Sequence, residues 1–161
     1  MTYLFPIIMY LITAIGYNPV SNDILINNVI NNIYTENLQK ENLSMTYTTQ
    51  TRGFYEEIRL SKSSLKISNE RNGKDSVIHK VSEKDWQEIQ HIMTTLDLEN
   101  ISQLKVPTEN RYADRVLIAG LAITSHEKNF ITPEFDHGNP PKEIRKLVDK
   151  ILSLKKVALK Q

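Results

Sequence analysis

Five residues between positions 126 and 137 carry side chains suited to holding a metal ion: His126, Glu127, Glu134, Asp136 and His137. Imidazole nitrogen and carboxylate oxygen are ordinary zinc ligands, but the ion needs them around one point. The two histidines bracket a segment that reads as one strand, and ten strand residues advance about 33 Å. Unless the strand folds back at Pro133, they cannot share an ion, so no metal or other cofactor is assigned. Asp136 and His137 read instead as turn residues that bond backbone amides ahead of Gly138.

Other chemistry is harder to place. Glu56 and Glu57 are adjacent in a segment of period two, so they point to opposite faces and cannot act as a carboxylate pair. Glu56 falls on the same side as Phe54 and Ile58, an unusual position for a charge. The chain has no His-Glu-x-x-His helix, no Gly-x-Ser-x-Gly elbow and no glycine-rich phosphate loop. It also has no cysteine, which excludes disulfides, thiolate ligands and a thiol nucleophile. What remains is a set of binding residues. Arg52, Phe54 and Tyr55 surround a turn, and Arg111-Tyr-Ala-Asp114-Arg115 lies just before a long apolar stretch. The second group reads either as an internal Arg111–Asp114 pair in a solvated loop or as part of a binding edge with Arg52 and Phe54. Asp136 and His137 complete the candidate contacts.

The elements that must position these residues follow from periodicity. Met45, Tyr47, Thr49 and Thr51 alternate with polar neighbours, and so do Phe54, Glu56, Ile58 and Leu60, which predicts a hairpin turning near Gly53. Leu65-Lys-Ile67 and Ser76-Val-Ile-His-Lys-Val81 predict a second hairpin, with Asn72-Gly73 supplying positive φ angles for a tight turn. Ser82-Glu-Lys-Asp85 has the form of a capping box, the Ser82 hydroxyl accepting from the Asp85 amide. The helix that follows places Trp86, Ile89, Met93 and Leu96 on one face and His91 on the solvated side.

Val116 to Ile123 is apolar at almost every position, which predicts a central strand covered on both faces. Ser125-His-Glu-Lys128 turns the chain into a strand from Asn129 to Phe135, held to an edge or a bulge by Pro133. Pro140 or Pro141 then opens a helix whose Ile144, Leu147, Val148, Ile151 and Leu152 form an apolar stripe. Its Lys142, Arg145, Lys146 and Lys150 read as a solvated face. The order β-β-β-β-α-β-β-α predicts an α+β fold, an antiparallel sheet of about six strands with both helices on one face.

The first charged residue is Asp23. Before it, Leu4 to Tyr17 is an apolar run of about 14 residues, close to a signal-peptide core and short of a membrane span. Ala14-Ile15-Gly16 has the small residues a signal peptidase accepts, which predicts a leader of residues 1–16 and a mature start at Tyr17. The n-region has no lysine or arginine, and the alternative is an uncleaved leader that anchors the chain to a membrane. Residues 17–43 read as a linker or weak amphipathic segment, with Ile26, Val29, Ile30 and Ile33 at helical spacing among helix-disfavouring asparagines. Residues 44–157 read as a single domain. The net charge is +1 with both signs interspersed, so the field that would draw nucleic acid is missing.

Arg52-Gly-Phe-Tyr55, Trp86, Leu104-Lys-Val-Pro-Thr108, Arg111-Tyr-Ala-Asp114 and Phe135-Asp-His-Gly-Asn-Pro-Pro141 together make most of residues 45–155 resemble small uncharacterised exported proteins of flavobacteria. Many of those look like lipoproteins, whereas Tyr17 here stands in the place of the lipidated cysteine, and the likeness implies no activity. The chain also resembles emfourin-type inhibitors of thermolysin-like metalloproteases in its Gly-Phe strand, middle helix and strand-turn-Pro-helix ending. That likeness implies protease inhibition, with Arg52–Tyr55 or Asp136–Pro140 as contacts. The combined expectation is an exported, non-enzymatic protein that binds a protein or cell-envelope component through a sheet edge or its loops. The alternatives are a small envelope enzyme and a purely structural envelope protein.

Overall fold

The computed structural model describes residues 43–110 and 116–160, all within the contact unit Lys40–Gln161. The leader, the linker up to residue 42, Arg111 and Asp114 lie outside the described residues, whereas Leu43 is part of the core. The elements run β1 (Ser44–Thr51), β2 (Phe54–Ser61), β3 (Ser64–Ser68), β4 (Val77–Lys80), α1 (Glu83–Met93), a 3₁₀ turn (Ile101–Gln103), β5 (Ile118–Ser125), β6 (Lys128–Ile131), β7 (Phe135–Asp136) and α2 (Arg145–Ala158). Among the described residues they form an antiparallel sheet of seven strands in the order β4-β3-β2-β1-β5-β6, with β7 also pairing β5. This is the expected α+β fold, with one more strand.

Period two explains the sheet. Met45, Tyr47 and Thr49 of β1, Glu56, Ile58 and Leu60 of β2, and Ala119, Leu121 and Ile123 of β5 point to one buried face. Trp86, Ile89 and Met93 of α1 and Leu147, Val148 and Ile151 of α2 close over it as one core. The Ser82 hydroxyl accepts from the Asp85 amide at 3.1 Å, and His91 is exposed, as the capping and helical patterns require. Gly53 turns the first hairpin with φ at +85°.

Four expectations are corrected. β5 begins at Ile118, and only one of its faces is buried; its other face carries Gly120 and Ala122, small enough to raise the hydropathy without needing cover. The predicted strand from Asn129 to Phe135 is broken at 132–134 into β6 and β7, where Pro133 cannot donate to a ladder. β3 and β4 are joined by a loop over 69–76 rather than a two-residue turn, and of its residues only Gly73 has positive φ. The Asp75 carboxylate organises that loop by accepting from the Ser68 hydroxyl at 2.5 Å, the Asn69 amide at 2.8 Å and the Glu70 amide at 3.1 Å. Finally, α2 starts at Arg145, after a turn closed by the Arg145 amide on the Lys142 carbonyl at 3.4 Å; Pro140 and Pro141 are buried and pack ahead of it.

Lys150 also departs from the solvated face. Its ammonium donates to Asp85 at 2.9 Å and Glu88 at 2.5 Å, joining α2 to the first turns of α1. Burial opposes its charge, but those two carboxylates outweigh the burial and raise its pKa. The Ser82 hydroxyl first, then Lys150, hold the Asp85 carboxyl below the usual range.

Candidate functional site

Opposed residues in the ladders place the candidate site residues in two rows. Tyr55, Gln50, Ile118 and Asp136 face one another across β2, β1, β5 and β7 on the side away from the helices. Tyr55 and Asp136 are thus three strand spacings apart, roughly 14 Å. The next row, Glu56, Thr49, Ala119 and Phe135, lies on the helix side. Phe54 and His137 follow on that side, so the described candidates divide between the two faces of the sheet rather than forming one patch.

On the open face Tyr55 is pinned. Its hydroxyl donates to Glu57 at 2.9 Å, and the Arg71 guanidinium lies 4.6 Å from its ring centre. Arg71 also donates to Gln50 at 2.6 Å, and Arg59 pairs with Glu57 at 2.6 Å. Partial burial first, then the Glu57 contact, raises the Tyr55 pKa. Arg52 and Phe54 are exposed at the hairpin tip.

Asp136 is 4% exposed, and its carboxylate accepts from the Thr108 hydroxyl and from the Asn110 amide at 2.9 Å. Its carbonyl accepts the Asn139 amide at 2.9 Å, while the Asn139 side chain donates to Thr108 at 2.9 Å. Asp136 therefore ties the 108–110 loop to the 136–139 turn. It does bond a backbone amide, as the sequence suggested, but across the fold rather than in its own turn.

On the helix side a polar cluster lies beside the core. The Tyr47 hydroxyl meets His137 Nδ1 at 2.9 Å, and the Glu56 carboxylate accepts from Lys155 of α2 at 2.5 Å. Tyr47 is fully buried, and burial, with help from the Glu56 and Asp149 carboxylates, pushes its phenol above the ordinary range. Burial also lowers the His137 pKa; Glu56 opposes this and Lys155 adds to it. Burial thus favours the uncharged forms of the phenol and the imidazole, beside the Glu56–Lys155 ion pair. Such an arrangement can orient the imidazole, but proton transfer to a substrate also needs a cavity in front of it.

Concavities formed by described residues open elsewhere, one beside Leu96, Ile101 and Ile144, another beside Leu98 and β6, and a third at Lys62, Lys80 and Ser82. Among the described residues no group of three or more histidines and carboxylates could hold a metal ion. His126 and Glu127 form the two-residue turn between β5 and β6, both with positive φ, at the opposite end of β5 from His137. No helix of the described residues is long and apolar enough to cross a membrane.

The two rims of the sheet differ. At the β6 rim, the 3₁₀ turn packs against the strand and Glu99 pairs with Lys128 at 3.6 Å, while Ile131 at the end of the strand is 62% exposed. At the β4 rim, Val77 is 52% exposed and Ile78 66% exposed. This edge is not among the contacts expected from the sequence. The available signal was the adjacent pair Val77-Ile78, which breaks the alternation of a strand with one covered face. Compared with known proteins, the chain matches no family model and no curated sequence.

Proposed function

We propose that the chain is an exported, non-enzymatic binding protein that acts on a protein or cell-envelope partner through the rim of its sheet. The observation that carries this reading is the exposed β4 edge, where two aliphatic side chains stand beside a strand with no described neighbour on its outer side. An unpaired edge is a template for another chain, and proteins that leave one apolar either shield it or use it. The Tyr47–His137 and Glu56–Lys155 contacts support the same reading, because those polar groups find their partners inside the domain. A narrower version is protease inhibition, with the hairpin tip at Arg52 to Tyr55 entering an active-site cleft; Phe54, 43% exposed, is the side chain it would present.

The test places a photo-crosslinking amino acid at position 54, 78 or 131 of the full chain in native cells, followed by fractionation and intact-mass analysis. The expected result is a chain cut after Gly16, in an envelope or secreted fraction, with an adduct of discrete mass from at least one rim position. An uncut chain in the cytosol overturns export, and no adduct from any rim position overturns binding.

A further inference from the structure

We infer that β4 is a docking edge for an extended acidic segment of another protein, added antiparallel as an eighth strand. This deepens the binding reading above and rests on it. The geometry comes from the β3–β4 ladder. The Val81 amide donates to the Ser63 carbonyl at 3.4 Å, so Ser63 and Val81 form a hydrogen-bonded pair one step beyond Ser64↔Lys80. Hydrogen-bonded and non-bonded pairs alternate in antiparallel ladders. Leu65↔His79 and Ile67↔Val77 are therefore the bonded pairs, and the N–H and C=O groups of Ile78 and Lys80 point outward from the sheet.

Ile78 and Lys80 also project their side chains to the same face, opposite Lys66 and Ser64. A strand that bonds their backbone would thus set its own alternate side chains beside Ile78 and Lys80. An apolar residue suits Ile78 and a carboxylate suits Lys80. Lys62 and Lys80 line an open concavity of about 720 Å³ with Ser63, Val81, Ser82 and Glu83, and Lys66 stands across the ladder from Ile78. The ion pairs between described residues do not include Lys62, Lys66 or Lys80, while Glu83 is the one carboxylate lining the concavity. That excess of positive charge favours an acidic occupant and disfavours a second copy of the chain, whose β4 would bring the same lysines. In antiparallel order the partner reads carboxylate, any residue, apolar residue.

The experiment uses the full chain and a labelled peptide, Ser-Thr-Glu-Thr-Val-Thr-Ser, with a counterpart carrying Lys in place of Glu. The Glu peptide is expected to bind in the sub-millimolar range, about tenfold tighter than the Lys peptide. Lys80→Glu should reverse that preference. Ile78→Pro should abolish binding of the Glu peptide without unfolding the chain, because the amide it removes points outward, where an edge strand tolerates proline. A thermal melt of each variant checks the fold. Equal binding of both peptides, or full binding by Ile78→Pro, overturns the proposal. So does a dimer in analytical ultracentrifugation that Ile78→Pro dissolves, which would make a second copy the occupant. Cross-links from position 54 or 131 with none from 78 would overturn the edge while leaving the binding reading intact.

Discussion

The hairpin end of the sheet and its β4 edge use their polar groups in opposite ways. At the hairpin end, Tyr47 meets His137, Glu56 meets Lys155, and Asp136 takes donors from Thr108 and Asn110. At the β4 edge the outward backbone groups of Ile78 and Lys80 meet no strand of the described sheet, and His79 Nε2 is buried without a hydrogen-bond partner. A buried polar group costs free energy unless it is bonded, so the first region's residue types are explained by stability alone. The second has no such account, and its exposed Val77 and Ile78 add an apolar cost in water. Polar residues at the hairpin end thus tie distant parts of the domain together, whereas the β4 edge leaves two aliphatic side chains exposed and its outward backbone groups without a strand among the described residues.

Substitutions at the core, the hairpin end and the edge should separate in size. Leu147→Ala sets the scale for pure packing, because Leu147 is fully buried between α2 and the sheet. Its expected loss is about 2 to 5 kcal/mol by denaturant unfolding, and an unchanged midpoint would remove α2 from the core. Lys155→Met should come next. It leaves the buried Glu56 carboxylate without its cation, at a cost of about 2 to 3 kcal/mol, below the range for a fully buried pair because Lys155 keeps some solvent contact. Adding Glu56→Gln to that variant should restore part of the loss; a double variant as unstable as the sum would show that the two side chains are not coupled.

Tyr47→Phe removes one buried hydroxyl and should cost about 1 kcal/mol. His137 also gives a pH dependence, through its partial burial rather than through the Tyr47 contact. Because burial lowers the His137 pKa in the folded chain, the unfolded chain binds its proton first as pH falls. The stability contribution is complete above the ordinary imidazole range and is lost as pH drops through that range toward the folded value. Melts at about pH 7.5 and about pH 5.5 should show the lower midpoint in acid, and His137→Gln should narrow the gap. A wild-type gap no larger than that of His137→Gln would contradict the assignment. Smallest of all, Ile78→Pro should change stability by less than about 0.5 kcal/mol, as an exposed edge position does. A large loss there would mean that β4 is structurally required and blur the contrast.

Periodicity made most of the architecture legible, because each strand and helix buries one face and the alternation of Met45, Tyr47 and Thr49, or of Ile144, Leu147 and Val148, records it. Two kinds of residue were harder to read. Gly120 and Ala122 count as apolar without being covered, so β5 looked buried on both sides. Lys150, Glu56 and Asp136 are charged residues whose partners come from distant parts of the chain, and one-dimensional spacing holds no record of those contacts. The Glu56 position was visible as an anomaly in the strand pattern, but its partner Lys155 was not. Edge status is harder still, since it depends on strand order, of which β4 carries only the indirect trace of its adjacent pair Val77-Ile78.

Backbone amide exchange along β4 tests the central claim most directly, first in the full chain alone and then with the cross-linked partner or the acidic peptide bound. In the free chain the amides of His79 and Val81 should be protected and those of Ile78 and Lys80 should exchange rapidly, and binding should slow the second pair alone. Fast exchange at Ile78 and Lys80 in both states would contradict the edge as the place where this protein meets its partner.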